Sequence, residues 1–193
     1  MQDQIRTLVT TSRSTRRFRE KERIPNETLR DLIDIARFCP SARNRQPLRY
    51  VLSIDPEETE RITDCLVWAL DLPEWDGPAR GERPAAYITI VTEPNPAFDP
   101  CYDIGIAAQT ILLAAAERGL AGCMMGSIRK DALRSVLDLA DDYAIRLVIA
   151  LGYPAETIVI EPLPESGDTR YWRDARGVHH VPKRSLEACI IRR

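Results

Sequence analysis

The sequence predicts a protein that contains both helices and buried strands. Residues 85–92 and 145–151 are apolar and rich in β-branched side chains, as in strands that are covered on both faces. Between them, residues 103–118 are apolar nearly all round, which indicates a helix enclosed on most sides, and Gly119 is a natural end for it. The chain has 193 residues, 44% of them hydrophobic, so we expect one domain over residues 1–193.

Three further helices and one strand are predicted before residue 72. Apolar residues recur at helical spacing within the first ten residues, which indicates a short amphipathic helix. A second helix should begin at Asn26, a favourable N-cap, and stop by Pro40. Residues 49–54 have strand composition, and Asp55 then begins an Asp-Pro-Glu-Glu sequence that is typical of a helix start. We extend that third helix to Leu70.

The second half of the chain alternates between strands, helices and irregular segments. Residues 72–84 are rich in Pro, Gly and Trp and are predicted to form a loop. Residues 122–125 form a candidate strand, and Ser127 is a candidate cap for the next helix. After residue 152, several prolines predict an irregular segment, and an apolar tail at 186–191 then requires a surface on which to dock.

Charge and cysteine content exclude several classes of protein. The formal net charge is −2, so the chain as a whole has no attraction for nucleic acid or an anionic membrane. The five cysteines are widely spaced and form no metal-ligand pattern, which indicates free thiols in a reducing compartment. No stretch approaches the length of a membrane span. We therefore expect a cytoplasmic protein without a metal site.

A basic cluster follows the first predicted helix. Arg13, Ser14 and Arg16 place two guanidinium groups and a hydroxyl within four residues, an arrangement that can bind a phosphate by charge-assisted hydrogen bonds. Lys183 and Arg184 form a second basic pair near the other end of the chain. One phosphate held by both clusters would explain both, although the spacing of the first cluster alone favours a solvated basic surface.

Two other segments have side chains or backbone suited to a flat ligand. Ser41, Asn44 and Gln46 lie between prolines and could bind the edge of a heterocycle, although an ordinary polar turn has the same composition. In the segment 119–126, glycines permit close approach of a ligand, and the methionines could line it or belong to the core. The pair His179-His180 has no metal-ligand spacing and is predicted to be at the surface.

Four short motifs occur in order along nearly the whole chain. They are R-S-x-R-x-F (Arg13, Ser14, Arg16, Phe18), P-S-x-x-N-x-Q-P (Pro40, Ser41, Asn44, Gln46, Pro47), G-L-x-x-C-x-x-G (Gly119, Leu120, Cys123, Gly126), and a basic pair before Leu-Glu (Lys183, Arg184, Leu186, Glu187). In this order they resemble the nitroreductase family of FMN enzymes. The resemblance implies an α+β fold with a central mixed or antiparallel sheet flanked by helices, and a C-terminal segment exchanged across a homodimer.

The resemblance also implies roles for individual residues. FMN would lie in the subunit interface, with its phosphate and ribityl end held by Arg13, Ser14, Lys183 and Arg184, and Arg16 would face the pyrimidine side. A cation there stabilises the charge of reduced flavin. The other contacts fall in two groups: Ser41, Asn44 and Gln46 from the other subunit, and Met124, Met125, Gly126 and Ser127 beside the isoalloxazine, with the Gly126 N–H aimed at N5.

The function implied by the resemblance is that of an NAD(P)H-dependent oxidoreductase. NADH or NADPH would reduce FMN and leave, and an electron-poor acceptor such as a nitroaromatic or a quinone would then take the electrons in the same pocket. Because hydride chemistry takes place at N5, no side-chain nucleophile is required. A non-catalytic flavin or haem binder on the same scaffold is the alternative, and a nucleic-acid binder is disfavoured by the negative net charge.

Overall fold

The computed structural model describes residues 2–192. Helices and strands alternate through most of the chain, with a 3₁₀ turn at Ala42–Asn44. In chain order the elements are α1 (Gln2–Thr11), α2 (Asn26–Ala36), β1 (Arg49–Ser53), α3 (Pro56–Asp64), β2 (Ala86–Thr92), α4 (Cys101–Glu117), β3 (Ala121–Met125), α5 (Lys130–Val136), β4 (Ala144–Gly152), β5 (Ile158–Pro162), β6 (Trp172–Arg173), β7 (His179–Lys183) and α6 (Leu186–Cys189).

A four-stranded antiparallel sheet forms the centre of the molecule. Its strand order is β1-β2-β4-β3, so β2 and β4 are the inner strands and β3 is an outer strand. All of β2 is buried, and Ile88 pairs with Ile149 of β4. Separate apolar clusters cover the two faces of the sheet. The helices and this sheet confirm the α+β class, and the two predicted buried strands are confirmed to within one residue at each end.

Helix α4 packs against α1, α2 and the sheet. Seven of its residues are buried, among them Ala108 and Ile111, which confirms the prediction of an enclosed helix for its inner face. On the opposite face, Tyr102 and Ile106 are exposed. The helix ends before Gly119, whose φ of +73° is readily adopted by glycine, so this predicted stop is also confirmed.

One predicted helix end and two predicted N-caps were wrong, although α2 does begin at Asn26. Helix α3 ends at Asp64 rather than Leu70, because the next residues pair with another segment: Leu66 forms a β-bridge with Ile128. Asp55 caps α3 as predicted, and its side chain accepts hydrogen bonds from the backbone N–H groups of Glu57 and Glu58. The other two expected caps are not caps. Asn26 is already helical, and the N-cap of α5 is Arg129, not Ser127.

The segment after β4 is folded, contrary to the prediction of an irregular segment. Strands β5 and β7 pair in parallel, and β6 pairs with β7 in antiparallel fashion. This small sheet is joined to the N-terminal turn, because Ala155 N donates to Arg17 O at 2.9 Å and Phe18 forms a β-bridge with Pro154. Both ends of the chain therefore meet beside the main sheet.

The apolar tail remains exposed. Leu186 and Ile190 are exposed, and Ile191 retains 90% of its accessible surface. Within residues 2–192, then, the apolar side chains of the tail are not docked on the rest of the chain. In the same range, no helix has the length and apolar character needed to cross a membrane.

Candidate functional site

The turn that carries the N-terminal basic cluster lies along the outer edge of β3. Ser14 forms a parallel β-bridge with Gly122, and Thr15 N donates to Gly122 O at 3.0 Å. Phe18 is fully buried at the end of the turn, and its N–H donates to Glu82 O at 2.9 Å. The main sheet and one buried aromatic ring therefore position the cluster.

Basic residues from both ends of the chain line one cleft beside this turn. The cleft has a volume of about 530 Å³, and we call it the cationic cleft. Arg13, Ser14 and Arg16 come from the N-terminal turn, and Lys183, the last residue of β7, and Arg184 come from the C-terminal part of the chain. The predicted meeting of the two basic clusters thus occurs in the structure. Such a concentration of charge suits a phosphorylated ligand.

Arg16 lies at the inner end of the cationic cleft and is only 9% exposed. Its Nη1 is 3.3 Å from Ser14 O and 3.4 Å from His179 Nε2, and its guanidinium carbon lies 4.7 Å from the centre of the Tyr171 ring. Its Nε is buried and has no hydrogen-bond partner within the described chain. Because an unpaired buried donor costs about 1–3 kcal/mol, this N–H is suited to an acceptor that enters the cleft.

Glu156 supports the turn from beneath, and its side chain is only 1% exposed. One carboxylate oxygen accepts the backbone N–H groups of Arg16 and Arg17. The other accepts from Nη2 of Arg173 at 2.9 Å. Arg173 in turn lies 4.2 Å above the ring of Trp75 in the 72–84 loop. A single buried carboxylate therefore joins the N-terminal turn to the small sheet.

His179 contradicts its predicted surface position, since it is buried on β7 beside the cleft. Its neighbour His180 is half-buried, so the prediction was wrong for one residue and only partly right for the other. Burial, the largest cause, lowers the pKa of His179 to about 4; the charge of Glu156 opposes this shift and that of Arg16 adds to it. The ring is therefore neutral near pH 7. Because a guanidinium can only donate, Nε2 is the acceptor for Arg16.

The lowered pKa of His179 predicts a loss of stability in mild acid. Its unfolded pKa is about 6.5, so the unfolded chain takes up the proton first. The contribution of neutral His179 is complete above that pH and is lost as the pH falls towards 4. The expected loss is on the order of 3 kcal/mol in the free energy of unfolding. Urea unfolding at several pH values between 7.5 and 4 measures it.

His179→Gln should flatten this pH dependence relative to the unmodified protein, because it removes the titrating ring. His180→Gln is the matched control, since it removes a neighbouring ring from the same strand and leaves His179 in place. A His179→Gln slope equal to that of the unmodified protein between pH 6.5 and 4 would contradict the assignment.

The segment at the end of β3 continues along the edge that the basic turn occupies. Met125 is buried in one core cluster, whereas Met124 is half-buried and packs against the other. The backbone of Gly126 is open, since no atom lies within 4 Å of where a Cβ would stand. Ser127 is half-buried, and its backbone carbonyl oxygen accepts a hydrogen bond from Val67 N at 2.9 Å. Of this run, the backbone at Gly126 is the best placed for a ligand.

The loop around Ser41 lies apart from the cationic cleft and lines a smaller one of about 190 Å³ together with Gln46. The Ser41 hydroxyl donates to buried Asp103 at 2.5 Å and accepts from Gln46 N at 2.8 Å, so it braces the loop. Asn44 and Gln46 are exposed, and both have positive φ values, 55° and 47°. Backbone of this kind in non-glycine residues is concentrated at ligand-binding sites.

Sequence reasoning missed several residues that surround Arg16: Glu156, Tyr171, Arg173 and His179. For His179, the sequence did contain a usable signal. In the run Val178 to Val181, strand alternation would have placed one histidine inward and its neighbour outward. The others carry no local signal, because their partners are distant in the sequence.

The fold is of the α+β class, with an antiparallel sheet and a long buried helix. Its cleft, where cations from both chain ends converge, is suited to binding a phosphorylated ligand. Within that class, the chain belongs to the nitroreductase family, whose sequence model matches residues 9–153. The resemblance drawn from the four motifs is thereby confirmed. Residues 154–192, which form the small sheet and carry Lys183 and Arg184, follow the matched region.

Individual relatives agree with this membership. A protein of Archaeoglobus fulgidus, whose name pairs NADH dehydrogenase with NAD(P)H nitroreductase, is 26% identical over an alignment of 158 residues. The match covers 77% of this chain and 84% of the relative. The structure of NfnB from Mycobacterium smegmatis, an FMN-dependent nitroreductase in complex with NADPH, has a TM-score of 0.64 at 22% identity and covers 80% of this chain and 89% of its own. An FMN-dependent nitroreductase from Clostridium difficile gives the same TM-score and identity, with 81% and 93% covered.

Proposed function

We propose that this protein is an NAD(P)H-dependent FMN oxidoreductase that reduces an electron-poor small molecule by a ping-pong mechanism. Bound FMN would supply the redox chemistry, by accepting hydride from NADH or NADPH at N5 and passing two electrons to an acceptor of the nitroaromatic or quinone type. The five free cysteines favour a reducing compartment such as the cytoplasm.

The observation that carries this proposal is the cationic cleft. Arg13, Lys183 and Arg184 stand towards solvent, where they would hold the FMN phosphate, and the Ser14 hydroxyl lies among them. Arg16 is buried further in, and its unpartnered Nε would meet an acceptor atom of the flavin ring. Residues present in the cleft therefore fit a ligand that has a doubly charged end and a weakly polar end.

The cofactor would lie along the edge of β3, with its phosphate at the N-terminal turn and its ring near Gly126. Ser14 pairs with Gly122, and Gly126 is four residues further along this edge, roughly 13 Å away at the usual strand rise. A phosphate at the turn and a flat ring near Gly126 would be separated by a ribityl chain. The Gly126 N–H would then face N5, and the Met124, Met125 and Ser127 backbone would flank the ring.

A homodimer would complete the site. Tyr102, Ile106 and Phe38 are exposed apolar residues on or near α4, and the tail at 186–191 is also exposed. Burying both surfaces against a second copy would remove this apolar area from water, and each exchanged tail would gain the dock that its own chain lacks. Ser41, Asn44 and Gln46 would then reach the flavin of the partner, with Ser41 acting mainly through the shape of the loop. Sedimentation velocity tests the dimer.

An anaerobic titration tests the function. The purified protein, supplied with FMN, is titrated separately with NADH and NADPH while flavin absorbance is followed. We expect stoichiometric bleaching by at least one nicotinamide, and rapid reoxidation when a quinone or nitroaromatic is added. Bound flavin that neither nicotinamide bleaches would favour the non-catalytic carrier instead. A protein that binds haem, or binds no FMN, would overturn the proposal.

A further inference from the structure

We propose that Glu156 is a positioning residue of the cationic cleft: its buried charge limits the positive potential that Arg16 and Arg173 present to the cofactor, and so lowers the reduction potential of bound FMN. This inference rests on the proposed function. It concerns a residue that lies beyond the part of the chain matched by the family.

Glu156 lies where its charge is little screened by solvent. Its side chain is 1% exposed, and both carboxylate oxygens are occupied by donors. A buried charge is screened by salt and water far less than an exposed one. The charge also reaches the lining of the cleft, since it acts on the pKa of His179, which lines it.

The cluster around Glu156 carries more positive than negative charge. The guanidinium of Arg173 pairs with this carboxylate, and the charges of Arg16 and Arg17 both act on Arg173. The lining of the cleft adds Arg13, Lys183 and Arg184. Because two-electron reduction places a negative charge near N1 and O2 of the flavin, every uncompensated cation nearby favours the reduced form. Removing the negative charge of Glu156 should therefore make reduction easier.

A purely structural role makes a different prediction. The backbone hydrogen bonds to Arg16 and Arg17 need an acceptor oxygen but no charge, and glutamine at position 156 retains that oxygen. Glu156→Gln therefore separates the two roles, because it keeps the support of the turn and removes the charge together with the acceptor for Arg173. Glu156→Ala removes both.

Glu82 offers a matched control. Its carboxylate pairs with Nε of Arg17 at 3.2 Å, so it neutralises a cation of the same turn, but its side chain is 38% exposed. Glu82→Gln removes the same unit of charge from a screened position. Its effect on the flavin should be much smaller than that of Glu156→Gln.

The experiment measures the midpoint potential of FMN bound to the full-length protein, by equilibrium titration against a reference dye. We expect Glu156→Gln to raise the ratio of reduced to oxidised FMN affinity at least tenfold, about 30 mV for a two-electron couple, and Glu82→Gln to leave it near that of the unmodified protein. Hydrogen exchange of the Arg16 and Arg17 amides should stay slow in Glu156→Gln and become fast in Glu156→Ala.

The possible outcomes separate this inference from the proposed function. An unmodified protein that binds no FMN overturns the function. If it binds FMN, an unchanged potential in Glu156→Gln, or an equal shift in Glu82→Gln, overturns the role of Glu156 alone. If Glu156→Gln does not fold, Arg173→Gln is measured instead: it removes a cation from the same pair, so the potential must fall, and an unchanged potential again overturns the inference.

Discussion

Replacement of Arg13 and Lys183 by alanine is expected to weaken FMN binding by at least about 100-fold, because each removes a charge-assisted hydrogen bond worth roughly 1.5–3 kcal/mol. The two side chains approach the cleft from opposite ends of the chain, so the double variant removes both sides of the proposed phosphate site. Fluorescence titration of the apoprotein with FMN measures the dissociation constant. The effect should diminish as salt is raised, since Lys183 is exposed and Arg13 only half-buried.

Arg30→Ala is the matched control, because Arg30 is an exposed arginine on α2 that does not line the cleft. It should bind FMN as the unmodified protein does. An Arg13→Ala, Lys183→Ala protein that binds FMN within threefold of the control would place the phosphate elsewhere. Riboflavin, which lacks the phosphate, provides a second check, because its binding should be almost insensitive to the double replacement.

Phe18→Ala is expected to lower the free energy of unfolding by about 3–5 kcal/mol, the usual cost of deleting a large buried ring. Phe18 is fully buried in the core cluster that includes Tyr87 and Met125, and it packs closely on Gly152. Its loss would also release the turn that carries Arg16. Urea unfolding of the apoprotein, followed by circular dichroism, gives the difference directly.

Ile5→Ala controls for the loss of an apolar side chain, since Ile5 is a large hydrophobic residue exposed on α1. It should change stability by no more than about 0.5 kcal/mol. Gly152→Ala tests the same contact from the other side, because the added Cβ would lie 2.7 Å from Phe18 Cδ1. A Phe18→Ala protein that loses less than about 1 kcal/mol would contradict this account of the turn.

Most of the main sheet and its long helix could be predicted from the sequence. Residues in β2 and β4 are apolar on both faces, so their composition alone indicates strands covered by protein. The predicted end of a helix was less accurate where the following residues pair with a distant segment. The chain leaves α3 at Asp64 because Leu66 pairs with Ile128, which no local pattern reveals.

The candidate site could be predicted only in part. Arg13, Arg16 and Lys183 carry recognisable patterns, and their assembly at one cleft agrees with the prediction. The methionines had two interpretations; the structure assigns the Met125 side chain to the core and leaves that of Met124 half-buried against it. Ser41 retains its place in the loop, but its hydroxyl donates to Asp103 and accepts from Gln46 N, which leaves only one lone pair for a donor of the ligand.

The sequence by itself determined the class of fold, the family and the two basic clusters, because each depends on local composition or on short motifs read in order. Only the tertiary structure decided that Glu156 and His179 surround Arg16, which lies 140 residues before Glu156 in the chain. The physical reason is that burial and charge at this site arise from packing the small sheet against the N-terminal turn. Neither property belongs to any one segment of the chain.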